Sequence, residues 1–284
     1  MLADMNGAVK RYGGFELECT MEVAPGRVTG LVGRNGSGKT TAFKLLLGLI
    51  RPDGGEVRIM GKDPLGLTED ERRMIGADLA DSGYSHYMNV GDAARVHGAF
   101  YPGFDAGGFL RKCREYGITE DKKIKDLSRG MRAVMQLFFA VMHDARLLIL
   151  DEPTSGMDVV VRDEMLDMLR GYMEEDEGRG VLISSHISSD LEGLCDDIYM
   201  IDGGRIILHE ETDRLLDSYG VIKLTEQQYR DIDKSRMISA TKESFGRACL
   251  TSDRGYYERQ YPDAVIEKGG IDPVITSLIK GEHI

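Results

Sequence analysis

Residues 33–40 read Gly33-Arg34-Asn35-Gly36-Ser37-Gly38-Lys39-Thr40, "GRNGSGKT"; they follow the apolar run "RVTGLV" and open into "KTTAFKLLLGLI". The spacing G-x-x-x-x-G-K-[ST], with a buried strand before it and a helix after it, is the setting in which a loop cradles phosphate. Glycines let backbone N–H groups approach an anion, the lysine adds a mobile positive charge, and the threonine hydroxyl suits a divalent cation. The helix is expected to run from Gly38 to a stop at Pro52. "RPDGGEVRIMG" then reads as a turn and an outer strand.

Upstream, residues 15–23, "FELECTMEV", alternate strictly between apolar and polar, which predicts a half-buried strand before the Pro25-Gly26 turn. Downstream, "RLLILDEP" and "VLISSH" are short apolar strands, and 157–177 between them looks helical. "DIYMID-GG-RIILHE" predicts a hairpin around Gly203-Gly204. Residues 82–145 carry helical patterns and little strand signal, so they read as a helical insert. Strands alternating with helices imply an α/β fold with a mostly parallel sheet, its antiparallel edge supplied by the hairpin and the N-terminal strands. After about residue 213, "VIKLTEQQYRDIDK", "AVIEKG" and "IDPVITSLIKG" predict a small α+β appendage. The expected division is therefore 1–212, with the insert at about 82–145, and 213–284.

The 284 residues are 42% hydrophobic and 30% charged, with a formal net charge of −12. That charge repels nucleic-acid phosphates and anionic membrane surfaces. Cys19, Cys113, Cys195 and Cys249 are too dispersed for a zinc site and fit reduced thiols in a cytoplasmic protein. The N-terminus lacks the apolar centre of a signal peptide, and the run 133–142 is too short to span a bilayer, so a soluble chain is expected.

"LLILDEP" places Asp151 and Glu152 at a strand end. Beside a phosphate loop, the first acid can hold Mg²⁺ through water and the second can deprotonate an attacking water; alone, the pair reads equally well as solvated carboxylates. His186 ends "VLISSH", where a neutral imidazole could bond a γ-phosphate or simply close the strand. Ser188-Ser189-Asp190 would cap the helix that follows. Only the structural reading applies to His86, His97, His143, His209 and His283. Tyr12 could stack on an adenine or pack on the sheet edge. "LSRGMR" at 127–132 opens the run "AVMQLFFAVM", and a serine and glycine at a helix mouth make a second anion site. One chain thus carries two phosphate sites.

Taken in order, Tyr12, "GRNGSGKTT", "LSRGM", "LLILDEP", "SGMD" and "SSH" resemble the nucleotide-binding domain of ABC transporters over about residues 1–210. The resemblance implies a P-loop NTPase with a RecA-like core, an antiparallel β subdomain and a helical insert. It further implies that two ATP molecules are sandwiched between two head-to-tail subunits. Ser128 and Gly130, with Arg129 and Met131 in the same signature loop, would then serve the ATP on the partner's Lys39. Tyr12 would stack on adenine, and Gly33, Asn35, Gly36, Gly38, Lys39, Thr40 and Thr41 would form the P-loop. Thr40 and Asp151 would support Mg²⁺, Glu152 would be the general base and His186 would fix the γ-phosphate, while Ser155, Gly156 and Asp158 would link the two sites.

Two features depart from the family pattern. Arg129 and Met131 replace Gly and Gln in the usual Leu-Ser-Gly-Gly-Gln. No glutamine precedes Gln136, although the family places one at the entry to the helical insert; Ala80 is nearest that slot, and Asp81 beside it could supply an oxygen to the metal. "SRGM", "DEPTSGMD" and "SSHISSDLE", with the appendage, look most like ABC-2-type exporter ATPases, including bacitracin-resistance relatives. The implied protein hydrolyses Mg-ATP, pairs with a second ABC ATPase subunit, identical or not, and drives a separately encoded integral-membrane permease from the cytoplasmic face. A soluble non-transport ABC ATPase is disfavoured by the charge and by the single cassette without a long coiled coil. An ATP-sensing interaction module is kept open by the missing glutamine, whereas a small-molecule kinase lacks an acceptor site.

Overall fold

The computed structural model describes residues 1–79, 83–244 and 246–284. Among these, one mixed sheet contains β1 (Ala3–Tyr12), β2 (Phe15–Val23), β3 (Val28–Val32), β4 (Gly54–Ile59), β5 (Ile75–Asp78), β6 (Leu147–Asp151), β7 (Gly180–Ser184), β8 (Asp197–Asp202) and β9 (Arg205–Glu211). Their order is β4-β1-β2-β9-β8-β3-β7-β6-β5. From β8 to β5 the strands are parallel. β3, β6 and β7 are buried along their whole length, which is why they read as unbroken apolar runs. β1, β2 and β4 pair antiparallel, and β9 folds back on β8 at Gly203-Gly204.

The first helices are α1 (Lys39–Leu46), α2 (Glu69–Arg73), α3 (Val90–Phe100), α4 (Ala106–Glu115), α5 (Arg129–Val141), α6 (Val159–Glu174), α7 (Ser188–Leu194) and α8 (Thr212–Ser218). α3, α4 and α5 follow one another between β5 and β6. α1 stops well short of Pro52, because Gly48 turns left-handed at φ 66° just past its end. Two strands escape the sequence pattern. In β1 a register shift between Met5 and Ala8, at left-handed Gly7, breaks the two-residue period. β5 has only four residues, "IGAD". Ala80 and Asp81 lie outside the described residues.

A second, antiparallel sheet contains β10 (Gly220–Leu224), β11 (Met237–Glu243), β12 (Gly246–Thr251), β13 (Val265–Lys268) and β14 (Glu282–His283), in the order β13-β10-β12-β11-β14. α9 (Glu226–Asp231), α10 (Arg254–Gln260) and α11 (Ile271–Lys280) accompany it. Alternation divides its side chains between two cores. Ile222, Leu224, Cys249 and Tyr257 make a local cluster, whereas Val221, Leu250, Ile271 and Val274 join Leu191, Cys195 and Ile198 in the main core. The appended sheet is thereby packed onto the end of the main one.

β5 lies hard against α5. A Cβ on Gly76 would fall 2.2 Å from the Ala140 carbonyl oxygen and 2.5 Å from Leu148 Cδ2. Overpacking of this kind costs about 1–3 kcal/mol. Gly76→Ala is expected to lower the thermal midpoint by about 3–10 °C; a wild-type midpoint in calorimetry would contradict the close approach.

Candidate nucleotide-binding site

The carboxyl ends of β3, β6 and β7 meet at one crevice, where parallel α/β sheets place their ligands. Gly33 leaves β3 under Ile201, whose carbonyl oxygen would lie 2.3 Å from any Cβ there. Gly36 and Gly38 take φ values of 80° and 116°, which only glycine adopts without strain. The loop feeds α1, whose first amides have no acceptor within the helix and so point toward an anion. The Lys39 ammonium donates to the Gly33 carbonyl at 2.8 Å and to that of Arg34 at 3.4 Å. The resulting cleft, about 340 Å³, is lined by Asn35, Gly36, Gly38, Lys39, Thr40 and Thr41 on one side and by Phe15, Asp151 and Glu152 on the other.

Asp151 is clamped from both sides. The Thr40 hydroxyl donates to Oδ2 and the Ser184 hydroxyl to Oδ1, each at 2.6 Å. Among the described residues there is no group of three or more His, Cys, Asp or Glu side chains that would cage a metal. A lone carboxylate beside a hydroxyl instead suits a hard cation that keeps water and phosphate ligands. Glu152 has a left-handed backbone, φ 54°, rare for a residue with a side chain. Its amide is held by the Ser184 carbonyl at 3.1 Å and the Ser184 hydroxyl at 3.0 Å. Its Oε2 lies 3.0 Å from His186 Nδ1. The two neighbouring carboxylates therefore meet different side chains, although Ser184 also holds the Glu152 backbone.

The segment expected to form a second anion site is built differently. Ser128 caps α5, accepting from the Met131 amide at 3.1 Å, while Arg129 Nη2 donates to Ser155 Oγ at 2.7 Å. A Cβ on Gly130 would lie 2.8 Å from the Gly156 carbonyl oxygen. Asp158 caps α6, accepting from the Val160 and Val161 amides at 3.1 Å. Ser128–Met131 and Ser155–Asp158 are thus joined within one chain, and none of Ser128–Met131 lines the Lys39 cleft. A second cleft of about 300 Å³, also lined by Asp151 and Glu152, is bordered by Asp78, Arg129, Arg132 and Gln136.

Other expectations fared unevenly. Tyr12 ends β1 opposite Phe15 and is 48% exposed. Phe15 itself lines the cleft, which its place in an ordinary alternating strand did not signal. Ser188 and Asp190 do not cap α7: the cap residue is Ile187, without a side-chain bond, because Ser188 donates to Asp272 and Asp190 accepts from Thr154. His97 is buried among aromatic rings, which pushes its imidazole down to about 3. His209 Nε2 lies 2.7 Å from Asp197. Both fit the structural reading.

Asp78, at the end of β5, was invisible in the sequence. It is buried beside Asp151, and desolvation followed by repulsion from that carboxylate pushes its pKa up to about 7. An unfolded aspartate releases its proton near pH 4. Between about pH 4 and 7 the folded chain keeps a proton that the unfolded chain has lost, so this contribution to stability falls as pH rises through the window. Asp78→Asn is expected to raise the thermal midpoint on the order of 5 °C at pH 8, without divalent cations, and far less at pH 4. Equal shifts at both pH values would contradict a buried, protonated Asp78.

The sequence profile described as ABC transporter matches residues 18–155. The chain is 31% identical over 230 residues to the Nod factor export ATP-binding protein I of Cupriavidus metallidurans, covering 76% of this chain and 73% of that one. It is 30% identical over 248 residues to the daunorubicin/doxorubicin resistance ATP-binding protein DrrA of Streptomyces peucetius, covering 84% and 74%. An ATP-binding subunit of an ABC transporter shares the fold with a TM-score of 0.68 at 24% identity, covering 76% of this chain and 92% of that one. A dimeric ATP-binding cassette with ADP and Pi shares it with a TM-score of 0.65 at 19% identity, covering 74% and 98%. The P-loop cleft, the clamped Asp151 and these similarities make the chain a member of the ABC transporter family, an ATP-binding and ATP-hydrolysing cassette protein.

Proposed function

We propose that the chain is the motor subunit of an exporter, in which two cassettes close head to tail over two ATP molecules and drive a separate membrane-spanning partner. One observation supports this reading: the helix mouth at Ser128–Gly130, free of its own chain's Lys39 cleft, borders the Ser155–Gly156 turn. A second copy turned to face the first would bring its Ser128 to that cleft. The export lean rests on relatives named for Nod factor export and daunorubicin/doxorubicin resistance. No helix among the described residues is long and apolar enough to cross a membrane, which fits a subunit that reaches the cytoplasmic face through its partner. Residues 1–212 form the cassette in this reading, and 213–284 form an appendage docked on it.

In hydrolysis, the α1 amides and Lys39 hold the β- and γ-phosphoryl oxygens, and Tyr12 and Phe15 flank the base. Thr40 and Asp151 would hold Mg²⁺, which would supply positive charge to offset that of the phosphoryl groups. Glu152 takes a proton from water as the water oxygen bonds to the γ-phosphorus. The bond to the bridging oxygen breaks, and its electron pair leaves with ADP. His186 steadies the γ-phosphoryl oxygens and keeps the Glu152 carboxylate oriented. Ser155, through its bond from Arg129, ties the turn after Glu152 to the signature loop of the same chain, which would serve the other ATP.

A positioned general base contributes about 10²–10⁴ in rate. Glu152→Gln is expected to lower turnover by about that factor while ATP still binds. Wild-type turnover would remove Glu152 as the base.

A further inference from the structure

α7 begins directly after the His186–Ile187 turn, and its cap residue offers no side-chain acceptor to the first helical amides. Its anchors are tertiary. On one side Asp190, 3% exposed, accepts from the Thr154 hydroxyl at 3.0 Å and faces Arg162 Nε at 3.3 Å. On the other side the appended α11 reaches across. The Ser188 hydroxyl donates to Asp272 Oδ1 at 2.5 Å, and the Ile271 amide donates to Glu192 Oε1 at 2.7 Å. Beneath these bonds Leu191 and Cys195 share the main core with Ile271 and Val274. The fit is close, since a Cβ on Gly270 would lie 3.0 Å from Glu192 Oε1.

We infer that Asp272 is a positioning residue for hydrolysis: through Ser188, the last helix of the appended sheet fixes the turn that carries His186. The inference rests on the role given to His186 above. The path is short. Ser188 lies two positions after His186, and Thr154, at the other end of the α7 clamp, lies two positions after Glu152. An ionised acceptor makes a bond roughly twice as strong as a neutral one, so Asp272 holds Ser188 firmly. Ordering Ser188 restricts the turn before it, and His186 keeps its 3.0 Å approach to Glu152. The appendage thus acts on the rate of hydrolysis and leaves the P-loop, which binds ATP, untouched.

Asp272 also sits in the first turn of α11, where a negative charge favours the helix on its own account. A purely structural role would therefore lower thermal stability alone. The test measures kcat, KM for ATP and thermal midpoint on the full chain for Asp272→Ala, Asp272→Asn, Ser188→Ala and the Asp272→Ala/Ser188→Ala pair. Asp272→Ala and Ser188→Ala are each expected to lower kcat about three- to tenfold, with KM within about twofold. Asp272→Asn, which keeps an acceptor oxygen, restores most of the rate. The pair is no slower than either single variant, because both remove one bond. Unchanged kcat in Asp272→Ala, or losses that multiply in the pair, would overturn the inference. If Asp272→Ala does not fold, Ser188→Ala decides alone, and unchanged kcat again overturns it. His186→Ala goes into the same assay. Wild-type turnover in that variant would sink the site reading and the inference together. A dead His186→Ala beside fully active Asp272→Ala and Ser188→Ala would sink only the positioning role.

Discussion

The bonds on the Asp151 carboxylate organise everything around them. Thr40 reaches it from α1, the helix after the P-loop, and Ser184 reaches it from β7, so one helix and a neighbouring strand are both tied to the acid that ends β6. Burial makes those bonds matter, because an unpaired carboxylate at 6% exposure would cost several kcal/mol. The same Ser184 hydroxyl accepts from the Glu152 amide and so helps hold Glu152 in its left-handed turn. One small hydroxyl therefore sets the places of both acids.

Much of this was legible in the sequence, and the legible parts share a physical cause. The P-loop, the buried strands before Asp151 and His186, and the Gly203-Gly204 hairpin are local: period, glycine placement and strand ends declare them. What stayed hidden depends on neighbours distant in the chain. β5 is four residues long and becomes a strand by pairing with β6, so neither it nor buried Asp78 has a local signature. β1 hides behind a bulge. Ser188 read as a helix cap, since nothing near it announces Asp272 as a stronger acceptor. Phe15 looked like one more inward position on an alternating strand, yet it lines the cleft.

The missing glutamine gives the helical insert a distinctive character. The family's usual slot falls nearest Ala80, outside the described residues. Asp78 and Gln136 border the second cleft lined by Asp151 and Glu152, and α5 presses on β5 at Gly76. α5 begins at the signature loop, so any shift of that helix reaches this cleft directly. On the opposite flank α7 is clamped between Thr154 and the appended α11. Asp151 and Glu152 thus have two neighbours outside the P-loop: α5, which shares a cleft with them, and α7, whose Asp190 accepts from Thr154.

A site shared between two copies requires the split between the cleft at Lys39 and the helix mouth at Ser128. The most direct measurement is the mass of the Glu152→Gln chain in sedimentation equilibrium, with and without Mg-ATP, beside the same chain carrying Ser128→Arg. The account predicts a monomer without nucleotide, a doubling of mass with ATP, and no doubling when Ser128 is replaced although ATP still binds. A Glu152→Gln chain that binds ATP and stays monomeric, or a Ser128→Arg chain that still doubles, would contradict a site shared between two copies.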